Sequence, residues 1–503
     1  MLVLLALVAA ACGTTLNDQQ ASVELRKDAG SGGQVVAGGG GGTASGGVGA
    51  GSAGDTGSAS GDTVAAGDAS TAAGADTASG ATGASDASGG AAAGGSGGGG
   101  ATATTQPTGT ARRHISSGGA TDVGVTPSEI RVGWVGTITG PQPGLFRGAL
   151  IGTQAWANYQ NSQGGLMGRK ITVVSGDDAL DSGKNRAAYL QLKDKVFSFV
   201  GSFSINDDGG ATVVNDCHCP DVSGNLSTAM QSSPYHYGPQ PQPLGWRTGP
   251  AHYFAQKYGK AVIEKLAFFY SQVGAAIPLA EQNRRVYEQA GFKVVYSRGV
   301  PPNDNNQTAD VVQMQRAGVK AIAFQGDLTA LSKLVNAMRQ QNFKVDLLNI
   351  GNSIYDSNTF KVTSADALQN AQIDQVYAMF LGEDGARIPE VKLFNDWMKK
   401  TDPNQPVDLF SMYGWLSGRL FADAMNKMAD AGRNPVRTDL VDTLKTWGTW
   451  DGYGMVAPVQ IGAKKPSDCW FIFTVTRDSK FARAFPAGDK NYECGYGPFS
   501  YKP

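Results

Sequence analysis

Three short stretches of the chain carry residue types that could do chemistry. NSQGGLMGRKITVVSGDD (Asn161–Asp178) ends in adjacent carboxylates, the raw material of acid–base work, and its Gly164 and Gly165 suggest a phosphate-cradling loop. Cys217 and Cys219 flank His218 in a triplet of metal-ligating types. GGSGG at Gly94–Gly98 fits the pattern around a hydrolase's nucleophilic serine.

Each loses its chemistry once its surroundings are read. A phosphate loop presents its amides at a helix N-terminus, whereas these glycines follow a helical run and precede an apolar strand. Neighbours at a strand's end point to different sides, so Asp177 and Asp178 read as caps for the helix that begins near Ser182. One triplet supplies too few ligands for zinc and there is no second Cys/His cluster, so no metal is expected. A local disulfide or two free thiols remain as readings of Cys217 and Cys219. The serine pattern lies in a tract that cannot build a nucleophile elbow. His114, His218, His236 and His252 show no partner arrangement for acid–base catalysis. No enzyme and no cofactor are expected.

From about Gly30 to Thr110 the chain is almost entirely Gly, Ala, Ser, Thr and Asp, without Lys or Arg between Lys27 and Arg112. Such a composition buries too little apolar surface to offset its ordering entropy, so residues 13–124 read as a disordered linker. Over the whole chain 42 Lys and Arg balance 43 Asp and Glu. Nothing suggests nucleic acid, and no later apolar run approaches the roughly 20 residues that span a bilayer.

From residue 125 the elements alternate. Short apolar strands are expected at 130–138, 170–176, 196–202, 266–270, 292–297, 321–325 and 347–350. Amphipathic helices separate them, the first with Leu145, Ala149, Gly152, Trp156 and Tyr159 on one face. This order predicts doubly wound parallel sheets, interrupted by a long helix over 408–431. Ligands of such sheets sit outside the strands' carboxyl ends. Those ends are Thr137–Gly144, Ser202–Ile205 and Asn225–Thr228, then Ser271–Gln272, Gly326–Leu328 and Asn352–Ser353.

IRVGWVGTITGP (Ile130–Pro141), the NSQGGLMGRKITVVSGDD stretch, FVGSFS (Phe199–Ser204), DVSGN (Asp221–Asn225), GWRTGP (Gly245–Pro250) and YGWLSGRLFADAM (Tyr413–Met425) follow one another. In that order they resemble the periplasmic solute-binding proteins of the leucine/isoleucine/valine-binding type. The resemblance implies an α/β fold of two doubly wound Rossmann-like lobes joined by a three-crossover hinge. Residues 125–248 with 377–455 would form one lobe and 249–376 with 456–503 the other. A monomer of this type closes over one small molecule, an amino acid or a related amide or aromatic compound, and delivers it to an ABC transporter's permease subunits. The alternative is a sensor that reports to a membrane receptor. By resemblance Ser204, Asn225 and Ser227 hold a ligand carboxylate and Phe146 packs on its side chain; helix capping is the plain alternative for each polar residue. Asn352 stands where amino-acid binders place an acid, and Asp327 could substitute. Phe203 and Gln272 complete the candidate set.

The N-terminal MLVLLALVAAAC resembles the end of a bacterial lipoprotein signal peptide, with Cys12 acylated and residues 1–12 as the signal; the alternative is an uncleaved apolar N-terminus. An anchored linker of this length would reach about 50 Å from the membrane. Cys469 and Cys494 flank the last stretch and could close a loop by a disulfide, as an extracytoplasmic location permits.

Overall fold

The structure is a computed structural model that describes residues 119–239, 245–301, 304 and 307–500. Cys12 and the linker up to residue 118 lie outside them.

The first sheet holds β1 (Glu129–Gly136), β2 (Lys170–Asp177), β3 (Ser198–Val200) and β4 (Asp221–Val222), all parallel in the order β2-β1-β3-β4. Its strands are apolar on both faces because both faces are covered. Val132 and Trp134 of β1 enter one core and Val135 the opposite one, as the period of two requires. On the first face the helices Arg147–Ser162 and Leu409–Asp430 lie together. They approach closely through glycines: a Cβ on Gly152 would lie 2.0 Å from the Ser411 carbonyl oxygen, and one on Gly414 2.1 Å from that of Ala149. The long helix starts in a capping box between Asp408 and Ser411.

After β5 (Gly245–Arg247) comes the second sheet: β6 (Leu266–Ser271), β7 (Val294–Val300), β8 (Ala321–Gln325), β9 (Leu347–Ile350) and β10 (Gln372–Gln375). The short strands β11 (Thr449–Trp450) and β12 (Val459–Gln460) pair with each other. β13 (Cys469–Val475) and β14 (Phe481–Phe485) then extend the second sheet antiparallel, in the order β14-β13-β10-β9-β8-β6-β7. Ala267, Phe269, Ile322 and Phe324 face one core, Phe268, Ala321 and Ala323 the other. β15 (Glu493–Cys494) pairs with β13 and bonds Cys494 to Cys469; β16 (Pro498–Ser500) pairs with β5. Cys217 and Cys219 are also joined, the local disulfide of the two readings above.

The expected strands and helices form, in two doubly wound lobes, while three boundaries move. The linker does not run to residue 124: Asp122 accepts from the Arg437 backbone at 2.7 Å, and a Cβ on Gly124 (φ +72°) would lie 2.3 Å from the Phe197 nitrogen. β5 already pairs with β16, and its Arg247 reaches Asp374 of β10 at 2.8 Å, so residues before 248 side with the second sheet. The β11–β12 pairing and the bond from Lys464 Nζ to the Ser233 carbonyl keep the chain on the first lobe past 455.

NSQGGLMGRKITVVSGDD is scaffold throughout. Asn161 closes the helix onto the strand by paired bonds with Ile171, of 2.7 and 2.8 Å, and a Cβ on Gly165 (φ +80°) would lie 2.0 Å from the Arg169 oxygen. Asp181, not Asp177 or Asp178, caps the next helix, because a cap must directly precede the first turn. Asp177 instead accepts from the Ile138 and Thr139 backbone, and Asp178 from Thr137 Oγ1 at 2.7 Å. The pair fastens the loop after β1.

Candidate functional site

A cavity of about 250 Å³ opens between the carboxyl ends of the two sheets. Its two walls differ. The first lobe presents mostly apolar side chains, Leu145, Phe146, Phe203, Leu226 and Phe410, together with Tyr413 and Gln142. Phe146, Phe203 and Phe410 form a triangle with ring centroids 4.9–5.0 Å apart, and Tyr413 lies 5.2 Å from Phe203. Burial raises the Tyr413 hydroxyl's pKa, so it stays a neutral donor and acceptor.

The second lobe mixes types. The helix Ala276–Gln289 offers Ala276, Leu279, Ala280 and Asn283 at three- and four-residue spacing, so one stripe faces the cavity. Strand ends contribute Ser271, Gln325, Asp327, Asn352 and Ser353. Arg247 enters from β5.

Of the residues singled out from sequence, Phe146, Phe203, Asp327 and Asn352 meet here. Asp327 also caps the helix Leu328–Gln340 by accepting from Ala330, and Asn352 lies 3.5 Å from Gln375 Oε1. The polar residues named for a carboxylate go elsewhere. Ser204 Oγ accepts from the Asn206 backbone at 3.0 Å, and Ser227 caps the short helix Thr228–Gln231. Asn225 donates to the Tyr189 hydroxyl at 2.9 Å inside the first lobe. Gln272 is exposed and lies outside the lining; its backbone N–H donates to Val300. Sequence reasoning missed Asn283 and the long helix's Leu409, Phe410 and Tyr413. A polar residue on an otherwise apolar helical stripe would have marked Asn283.

Behind the aromatic wall lies a buried polar layer. Asp221 accepts from His236 Nδ1 at 2.8 Å and from Tyr189 at 3.1 Å, and also from Ser223. Asp207 accepts from the Leu226 and Ser227 backbone, which fixes the loop that carries Leu226 into the cavity. Burial pushes its carboxyl up to about 7 against those bonds. His218 stacks on Tyr235 and His252 on Tyr496. None of the three described histidines lines the cavity.

Residues 129–480 match the model of a family described as periplasmic binding protein. Leu/Ile/Val-binding protein homolog 2 of Brucella abortus (strain 2308) is 22% identical over 236 residues, 45% of this chain and 62% of that protein. A fatty acid ABC transporter substrate-binding protein from Thermomonospora curvata is similar with a TM-score of 0.62 at 18% identity, covering 74% of this chain and 94% of that one. A branched chain amino acid ABC transporter from Thermus thermophilus with bound valine gives 0.61 at 13%, over 74% and 97%. Two largely parallel α/β sheets facing each other across a lined cleft, together with a match through most of the folded part, place this chain in the periplasmic binding protein family.

Proposed function

We propose that the protein is an extracytoplasmic receptor that captures one small molecule by closing its lobes and delivers it to the permease subunits of an ABC importer. The observation that carries this reading is the cavity itself, built from the strand ends of both lobes so that closure buries whatever lies between them. Phe146, Phe203, Asp327 and Asn352 serve as ligand contacts. The described residues around the cavity offer no nucleophile with an adjacent base, which favours binding over turnover. The similar solved structures named for fatty acid transport and for branched chain amino acid transport, the latter with bound valine, support a solute with an apolar body. The receptor works as a monomer, anchored through acylated Cys12 and its linker.

The test is thermal denaturation against amino acids, amides, aromatic acids and polyols. A ligand at 100 times its dissociation constant adds about 2.7 kcal/mol. A flat response to the whole panel sinks the receptor reading. Cys12→Ala should move the protein from the membrane to the soluble fraction, and retention in the membrane rejects the anchor.

A further inference from the structure

We propose that the ligand is not an α-amino acid but an uncharged molecule, an apolar body carrying one neutral polar head such as a carboxamide, with the head held by Asn283. The proposal rests on the receptor reading above and deepens it.

Three observations converge. First, the residues that the resemblance assigns to an α-carboxylate do not line the cavity; the polar side chains on that wall are Gln142 and Tyr413. Ser204 and Ser227 bond within their own loops and Asn225 donates to Tyr189 of the helix Ser182–Leu192, while Phe203 and Leu226 face the cavity in their place. Second, among the described residues the lining carries two formal charges, Arg247 and Asp327, of opposite sign. Arg247 is paired with Asp374 at 2.8 Å, and Asp327 is exposed and caps a helix. A ligand bearing net charge would therefore have to share Arg247 or Asp327 with its present partner, and burying a poorly compensated charge is strongly unfavourable; against a zwitterionic amino acid, which bears no net charge, it is the first wall that speaks.

Third, Asn283 is 6% exposed, lines the cavity, and its Oδ1 has no hydrogen-bond partner among the described residues. Other buried amide atoms lack a partner too, Asn225 Oδ1 and Gln282 Oε1 among them, but of these amides, among the described residues, Asn283 alone lines the cavity, which points to a ligand group. An amide offers one acceptor and two donors, and a carboxamide head meets both with reciprocal hydrogen bonds. A carboxylate can only accept and would leave Oδ1 unpaired. The body of the ligand then extends across to the Phe146, Phe203 and Phe410 triangle, where aromatic and branched aliphatic groups pack well.

Matched probes isolate the head group. Dissociation constants of the full chain are measured calorimetrically for 3-phenylpropionamide, 3-phenylpropanoate and L-phenylalanine, which share one body. The set 4-methylpentanamide, 4-methylpentanoate and L-leucine repeats the comparison with an aliphatic body. In at least one set the amide should bind about tenfold tighter than the carboxylate and tighter still than the amino acid. Asn283→Ala should erase that preference by weakening the amide about tenfold while changing the carboxylate little, with its melting temperature in the absence of ligand confirming an intact fold. Phe203→Leu should weaken all members of the phenyl set alike. An amino acid or carboxylate that binds as tightly as its amide overturns the inference and leaves the receptor reading standing. Unchanged amide affinity in Asn283→Ala also overturns it. Silence from all six probes overturns it as well, and silence from the broader panel would then remove the receptor reading too.

Discussion

The two walls of the cavity occupy equivalent places, each at the carboxyl ends of a doubly wound sheet, yet they use their polar residues in opposite ways. In the first lobe Ser204, Asn225 and Ser227 bond inside the lobe, and apart from Gln142 and Tyr413 the side chains facing the ligand space are apolar. In the second lobe Gln325, Asp327, Asn352 and Ser353 line the space themselves. A strand end therefore fixes where a ligand sits but not what chemistry meets it. That choice lies in which of two adjacent residues points outward.

The contrast can be broken from either side. Phe203→Ala removes the centre of the aromatic wall, a side chain 2% exposed, and should cost about 3–5 kcal/mol of folding stability in chemical denaturation. A smaller loss would mean the wall can collapse into the space left. The buried layer behind it is tested by pH. The Asp207 carboxyl is raised to about 7 in the folded protein, so the folded state binds the proton more tightly than the unfolded chain. Its contribution is fully present below about pH 4 and is lost as pH rises towards about 7, by an amount on the order of a few kcal/mol. Asp207→Asn should flatten that decline in stability measured from pH 4 to 8; an unchanged slope would detach it from Asp207. Asn225→Ala should cost about 2 kcal/mol of stability, because it removes the donor to the buried Tyr189 hydroxyl, while ligand affinity stays within about twofold. A large loss of affinity instead would return Asn225 to the ligand. Asp327→Ala has the smallest stability effect, about 1 kcal/mol from the lost helix cap. If affinity falls further than stability, the second wall's carboxylate contacts the ligand directly.

The fold was legible because both sheets are buried on two faces. Runs such as Ala321–Gln325 read as apolar without interruption and could be placed to within a residue or two. The cavity's location followed from strand ends alone. Its chemistry did not, since Phe203 and Ser204, or Asn225 and Leu226, are neighbours whose sides swap with a shift of one residue. Asn283 was harder still, lying in mid-helix far from any strand end. Arg247 sat inside a stretch quoted for resemblance, but its approach to the cavity depends on pairing with β16, about 250 residues later in the chain. Boundaries moved for the same reason, as Lys464 and Asp122 are fixed by partners remote in sequence.

The pairing of the long helix Leu409–Asp430 with Arg147–Ser162 bears on the order in which the chain is made. Strands β1 to β4 are synthesised early, but the surface they present to that helix stays uncovered until residues beyond 430 emerge. The second sheet likewise waits for β13 and β14. Neither half can complete its core while the chain is still growing. A polypeptide built this way remains threadable for most of its synthesis, and its ligand space comes into being only at the end.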